Sequence, residues 1–151
     1  MSESWFVMSF ANLDPIDLRF HHAGISVPDL EASIHWYQRV LGFELERRSD
    51  LPPVPARVAF LRRGQLRIEL FQPENAKPLP DDRRDPHADL RTHGNKHVGF
   101  AVSDVRAAAA ALSERGADIV FVKEMPDAAV LFLRDNAGNL IELYQPVRLE
   151  T

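Results

Sequence analysis

The sequence contains no cysteine, and this absence removes several kinds of chemistry at once. Disulfides, thiolate nucleophiles and cysteine-ligated zinc are all excluded. No apolar run approaches the roughly 20 residues that a membrane-spanning helix needs. Residues 1–15 also lack the basic start of a signal peptide. We therefore expect a cytoplasmic protein that has no membrane partner.

A large excess of one charge is missing as well. The 151 residues carry a formal net charge of −4, and no long run of basic residues occurs. Proteins that bind nucleic acid usually show a basic patch, so we expect no nucleic-acid partner. Hydrophobic residues make up 45% of the chain, which is enough to bury the core of one globular domain.

What the sequence does contain is an internal repeat. HHAGISVPDL (21–30) matches KHVGFAVSDV (96–105), and IELFQP (68–73) matches IELYQP (141–146). A repeat of this kind indicates two similar structural units. The predicted organisation is an N-terminal extension (1–18), a first module (19–73), a proline-rich charged connector (74–95) and a second module (94–147), which together make one domain.

Each module has the predicted element order β-α-β-β-β, which indicates an α+β fold. Asp29 is positioned to cap the first helix and Gly42 to end it, while Ser103 or Asp104 caps the second. The predicted strands span 20–27, 43–48, 57–62 and 66–72 in the first module and 96–102, 118–123, 129–134 and 139–145 in the second.

The first strand of each module carries a histidine on the face that is turned away from the helix. Strand alternation puts His22 on the same face as Gly24 and Ser26, and His97 on the same face as Gly99 and Ala101. Small residues beside a histidine leave room for a ligand.

The last strand of each module carries a glutamate between apolar residues. Glu69 and Glu142 occupy the same repeat position, and an unpaired buried carboxylate would cost several kcal/mol. If the modules pair by pseudo-twofold symmetry, His22, Glu69, His97 and Glu142 converge. Two imidazoles and two carboxylates predict a site for one divalent ion, with Zn, Mn, Fe, Co and Ni all compatible.

For several other residues the sequence pattern indicates a role less specifically. Alternation puts His21 on the helix side of its strand, which predicts a structural role, and the repeat has Lys96 in its place. His93 lies near the rim of the expected site. Candidate substrate-binding residues are His93, Phe71, Tyr144 and Arg91, with Phe60 as a further wall residue and with Arg83 and Arg84 as further cations for an anionic substrate.

Taken together, four motifs resemble the vicinal-oxygen-chelate superfamily, which includes glyoxalase I, methylmalonyl-CoA epimerase, extradiol dioxygenases and the fosfomycin and bleomycin resistance proteins. They are HAGISVPDL, the WYQRVLGF segment from Trp36 to Phe43, KHVGFAVSD and DNAGNLIEL. The resemblance covers about residues 19–147. It implies two paired βαβββ modules that curve into a mixed-sheet cup around one metal ion, a small-molecule substrate and a homodimer.

Within this superfamily, the resemblance implies the metal ligands His22, Glu69, His97 and Glu142. Glutamate at position 69 is typical of the glyoxalase I and epimerase branch. That branch implies an isomerase or lyase that moves a proton alpha to a carbonyl through a metal-stabilised enediolate. Glu142 is the first candidate for the base and Glu69 for its partner. The acidic Glu-Glu-Gln-Gly-like stretch of epimerases is replaced here by SDLPPVPAR (49–57).

Two other functions are compatible with the residues. The first is an Fe(II)-dependent extradiol-type dioxygenase, which would use the two histidines and Glu142. The second is a non-catalytic protein that binds a small molecule such as an antibiotic in the cup. Neither the substrate nor the identity of the metal can be read from these motifs.

Overall fold

Two stretches with the same order of elements follow one another along the chain. A computed structural model describes residues 16 and 18–146. Most of the predicted N-terminal extension therefore lies outside the described residues. The strands are β1 (Ala23–Ser26), β2 (Glu44–Leu51), β3 (Ala56–Arg63), β4 (Leu66–Pro73), β5 (Val98–Ala101), β6 (Asp118–Met125), β7 (Ala128–Arg134) and β8 (Leu140–Pro146), and the helices are α1 (Leu30–Leu41), α2 (Pro86–Asp89) and α3 (Val105–Glu114).

The strands form two four-stranded mixed sheets, in the orders β1-β4-β3-β2 and β5-β8-β7-β6. In each sheet the first and last strands of the module run parallel, and the remaining neighbours run antiparallel. The predicted α+β fold with two βαβββ modules is confirmed. Strands β1 and β5 are shorter than predicted, so His22 and His97 lie just before them.

Side chains at the helix ends explain where α1 and α3 begin. Asp29 Oδ1 accepts a hydrogen bond from the Ala32 amide at 3.0 Å, and Asp104 Oδ1 accepts one from Ala107 at 2.9 Å. Of the two residues predicted to cap the second helix, Asp104 is the N-cap of α3. Gly42 ends α1 with φ of 68°, a left-handed conformation that glycine adopts without strain.

A glutamine after each last strand also holds the start of a helix. Gln72 Oε1 accepts from the Leu30 amide and Gln145 Oε1 from the Val105 amide, both at 2.8 Å. These amides lie in the first turn of α1 and α3, where no carbonyl within the helix can accept from them. The glutamine in the repeated IELFQP and IELYQP segments therefore joins sheet to helix in each module.

Both sheets contain a β-bulge at the same repeat position. The register between β2 and β3 shifts between Leu45 and Arg47, and the register between β6 and β7 shifts between Ile119 and Phe121. The extra residue turns the following side chain to the other face of the sheet. Arg47 and Phe121 consequently share a sheet face with the strand glutamates.

The two modules share one hydrophobic core through their helix-bearing faces. This core includes Tyr37 and Val40 from α1, Val105 and Leu112 from α3, and apolar residues of both sheets. The Tyr37 hydroxyl donates to Asp135 Oδ2 at 3.0 Å, and Arg115 Nη1 donates to the Val40 carbonyl at 2.8 Å. The sheet faces that carry the histidines and glutamates therefore point away from the shared core.

Ion pairs and hydrogen bonds hold the connector against the second module. Asp89, at the end of α2, is 1% exposed and ion-pairs with Arg83 and with Lys96, whose Nζ lies 3.1 Å from Oδ1. Arg134 of β7 donates to the Arg84 carbonyl at 2.7 Å. Among the helices of residues 16 and 18–146, none has both the length and the apolar character needed to cross a membrane.

Candidate metal centre

The first module brings His22 and Glu69 together. The His22 Nε2 atom lies 2.9 Å from Glu69 Oε2, and the two side chains are 33% and 18% exposed. Gly24 is the register partner of Glu69 on the neighbouring strand. The sheet thus presents an imidazole and a carboxylate side by side on an open face.

The second module repeats this arrangement. His97 Nε2 lies 3.0 Å from Glu142 Oε2, with side-chain exposures of 28% and 21%. Gly99 is the register partner of Glu142, and a Cβ at Gly99 would lie 3.6 Å from Glu142 Oε2. In both modules the histidine therefore lies beside the strand glutamate of its own module.

The two pairs do not meet within the chain. Strands β1 and β5 belong to separate sheets, and within the part of the chain that the structure describes, no three histidine, aspartate or glutamate residues are placed to hold one ion. The four-residue cluster remains a prediction, because a single chain holds the His22–Glu69 pair and the His97–Glu142 pair apart.

Each half nevertheless suits a metal ion. Two neighbouring ligands of an octahedral ion lie at right angles, and when each is ~2.1 Å from the ion they are separated by about 3.0 Å. The separations between histidine nitrogen and carboxylate oxygen are 2.9 and 3.0 Å. Because a catalytic site usually has three or more protein ligands, one pair is insufficient and two pairs provide four.

His21 does not lie where strand alternation predicts. Its Nδ1 atom is 2.7 Å from His22 Nδ1, and its ring centroid is 6.3 Å from that of Phe60. The predicted placement of His21 on the helix side was wrong because β1 begins at Ala23, so the two histidines precede the strand. At 2.7 Å one ring nitrogen donates and the other accepts, so the tautomers of the two rings are linked.

Aromatic rings line both halves of the candidate site. The ring centroid of Phe60 lies 5.2 Å from that of His22, and the Phe132 centroid lies 5.0 Å from that of His97. In the second module this surface continues through Phe121 to His87 of the connector, at 5.1 and 5.8 Å. The sequence alone does not assign Phe121 to this surface, because the bulge before it is not visible in the alternation.

The other predicted substrate-binding residues lie in different places. Phe71 is half-buried against Gly24, and Tyr144 is 40% exposed on β8. Arg91 and His93 lie in the exposed end of the connector. Among the described residues, neither side chain bonds to or stacks on the four candidate ligands. Arg83 pairs with Asp89, and Arg84 packs against Gly138.

Comparison with known proteins agrees with this architecture. Residues 19–143 match the sequence profile of the glyoxalase/bleomycin resistance protein/dioxygenase superfamily. The mitochondrial methylmalonyl-CoA epimerase of Bos taurus is 30% identical over 133 residues, which cover 84% of this chain and 74% of the epimerase.

Solved structures show the same fold. A glyoxalase family protein from Enterococcus faecalis superposes with a TM-score of 0.70 at 23% identity, covering 83% of this chain and 96% of that one. The trypanothione-dependent glyoxalase I of Leishmania major superposes with a TM-score of 0.65 at 25% identity, covering 85% and 86%. The chain belongs to the glyoxalase/bleomycin resistance protein/dioxygenase superfamily.

Proposed function

We propose that this protein is a divalent-metal-dependent isomerase or lyase that moves a proton alpha to a carbonyl group. The observation that carries this proposal is the repeated pair of a histidine and a strand glutamate, with separations of 2.9 and 3.0 Å. The epimerase and glyoxalase I relatives support the same class of reaction.

The residues that would hold the ion are His22, Glu69, His97 and Glu142. When bound, the ion would act as a Lewis acid that stabilises the negative charge developing on the substrate oxygen. Nitrogen and oxygen ligands of this kind suit Zn, Mn, Fe, Co and Ni alike.

A second copy of the chain would complete each site. The helix-bearing faces of the two modules are buried in one shared core, whereas the faces with the candidate ligands are open. In a twofold homodimer, the first module of one chain faces the second module of its partner, and the converse contact forms too. Such a dimer contains two four-ligand sites.

The two glutamates would exchange the proton. Glu142 approaches His97 through Oε2, which leaves Oε1 to accept the substrate proton. Glu69 has the matching arrangement with His22 and returns a proton from the other side. A carboxylate next to a metal is a weak base, so the reaction needs a substrate whose α-proton has been made acidic.

Metal analysis tests the proposal directly. Purified protein should hold about one divalent ion per chain, and His22→Ala and Glu142→Ala should lose most of it. The matched control is His35→Ala, since His35 is exposed on α1. Metal content that is unchanged in both ligand variants would contradict the proposed site.

Mixing two inactive variants tests the shared site. In a dimer of one His22→Ala chain and one His97→Ala chain, both substitutions fall in one site and the other site is intact. Metal binding and activity should therefore reappear after the variants are unfolded and refolded together. Sites formed within single chains would give no recovery.

The reaction itself is tested by exchange of substrate hydrogen with deuterated water. Methylmalonyl-CoA is the first compound to try because of the epimerase relative, followed by a panel of 2-oxo and 2-hydroxycarbonyl compounds. We expect metal-dependent exchange at the α-carbon that is lost in Glu142→Gln. Exchange that persists undiminished in this variant would exclude Glu142 as the base.

A further inference from the structure

Within one row of register partners, the two halves of the candidate site differ at a single position. Across the first sheet, Arg47, Phe60, Glu69 and Gly24 are successive register partners. Across the second sheet the same row consists of Phe121, Phe132, Glu142 and Gly99. Arg47 and Phe121 both follow a bulge, so the backbone is alike and only the side chain differs.

Arg47 is placed close to the candidate ligands. Its guanidinium carbon lies 4.2 Å from the centroid of the Phe60 ring, and that ring is 5.2 Å from the His22 ring. The backbones of Arg47 and Glu69 are two strand spacings apart, a distance of about 10 Å. A charge at this position can contact the far end of a small substrate whose near end is at the ligands.

The neighbouring arginines of the first module are already engaged. Arg48 and Arg57 both bind Glu31, Arg67 binds Glu46, and Arg62 and Arg63 donate to the carbonyls of Gly64 and Leu41. No carboxylate within the described ranges lies at ion-pair distance from Arg47, which rests on the face of Phe60. Such stacking orients a guanidinium while its N–H groups stay available.

We infer that the substrate carries an anionic group, such as a carboxylate, in addition to its carbonyl oxygens, and that Arg47 binds this group. The inference rests on the proposed function, because it takes the ligand-bearing faces as the substrate site. A planar guanidinium matches a carboxylate through two parallel hydrogen bonds. At the equivalent position the second module carries the uncharged Phe121, so Arg47 has no counterpart there.

Calorimetry with a pair of probes tests the inference. Both 2-oxoglutarate and 2-oxohexanoate carry a 2-oxo acid that can chelate a metal, but only 2-oxoglutarate has a second carboxylate. Co²⁺-loaded protein should bind 2-oxoglutarate about 10- to 100-fold more tightly. Arg47→Met should remove this preference while leaving the affinity for 2-oxohexanoate unchanged.

Arg48→Met is the matched control, because Arg48 lies on the same strand but is bound to Glu31. The control should keep the preference for the dicarboxylate. Equal affinity for the two probes in the unsubstituted protein, no measurable binding of either, or a preference that survives Arg47→Met would overturn the inference.

Repeating the titrations after metal removal separates the two proposals. Binding that depends on Arg47 but not on the metal would support the anion site and contradict the proposed function. Binding that depends on the metal and is indifferent to Arg47→Met would overturn the inference and leave the proposed function standing.

Discussion

At the scale of single residues, the two adjacent histidines have different relations to the candidate site. His22 contacts Glu69 through Nε2 and His21 through Nδ1. An imidazole that binds a metal through one nitrogen usually donates from the other, and that second contact fixes its orientation. We therefore interpret His21 as a positioning residue for His22.

This interpretation gives a prediction for His21→Phe. The introduced phenyl ring can still pack near Phe60, but it cannot form a hydrogen bond with His22. Metal affinity should therefore fall by about 10- to 100-fold. Competition with a chelator of known affinity measures the change. His35→Phe, on the exposed side of α1, serves as the control. Unaltered affinity in His21→Phe would show that His22 needs no such support.

At the scale of elements, the link between the last strand and the helix is the same in both modules. Gln72 and Gln145 each accept a hydrogen bond from the first amide of a helix at 2.8 Å. The aspartate caps satisfy amides further into the same turns. Each helix start is thus held by one side chain from its own loop and one from the sheet.

Gln72→Ala should lower the free energy of unfolding by about 1 kcal/mol, the usual effect of losing one capping hydrogen bond. Gln145→Ala should have a similar effect, because the contact is repeated. Urea denaturation measures both. Gln65→Ala provides the control, since Gln65 is exposed in the turn between β3 and β4. If Gln72→Ala and Gln145→Ala lost no more stability than Gln65→Ala, water would be replacing the glutamine as hydrogen-bond acceptor without loss of free energy.

The elements also show how far sequence reasoning reaches. Alternation and the internal repeat predicted the α+β fold and the face shared by each histidine and its glutamate, because His22 and His97 directly precede β1 and β5 and keep the alternation of those strands. The same rule failed for His21, one residue further from β1, and overlooked Arg47, where a bulge reverses the alternation. The separation of the two pairs depends on how the modules pack, which alternation does not encode.

At the scale of the whole molecule, the hydrogen bonds that join the modules include a fully buried one. Tyr37 is fully buried in the shared core, and its hydroxyl donates to Asp135 Oδ2 at 3.0 Å. Burial, the negative charge of Asp135 and the hydrogen bond to it together raise the pKa of Tyr37 well above 10.0. The folded protein therefore keeps this phenol protonated at a pH where the unfolded chain loses the proton.

Stability should consequently fall at alkaline pH. Above about pH 10 the unfolded state binds fewer protons than the folded state, so the free energy of unfolding decreases by up to about 1.4 kcal/mol per pH unit. This contribution is complete below the ordinary tyrosine pKa and is lost as pH rises towards the raised one. Urea denaturation at pH 8 and near pH 11 measures the difference.

Tyr37→Phe should be less stable than the unsubstituted protein at pH 8, because it leaves Asp135 without one donor. Its stability should also decline less between pH 8 and 11. Tyr144→Phe, on the 40% exposed Tyr144, should keep the alkaline decline. A decline of equal size in Tyr37→Phe would assign the alkaline sensitivity to other groups.

The paired bulges have a consequence for aggregation. Strands β2 and β6 are the outer edges of the two sheets, and an unprotected outer edge can add strands from other molecules without limit. A bulge twists the edge, and charged residues such as Glu46, Arg48, Lys123 and Glu124 line it. These two edges therefore resist fibril-like growth, whereas the opposite edges, β1 and β5, are short strands of four residues each.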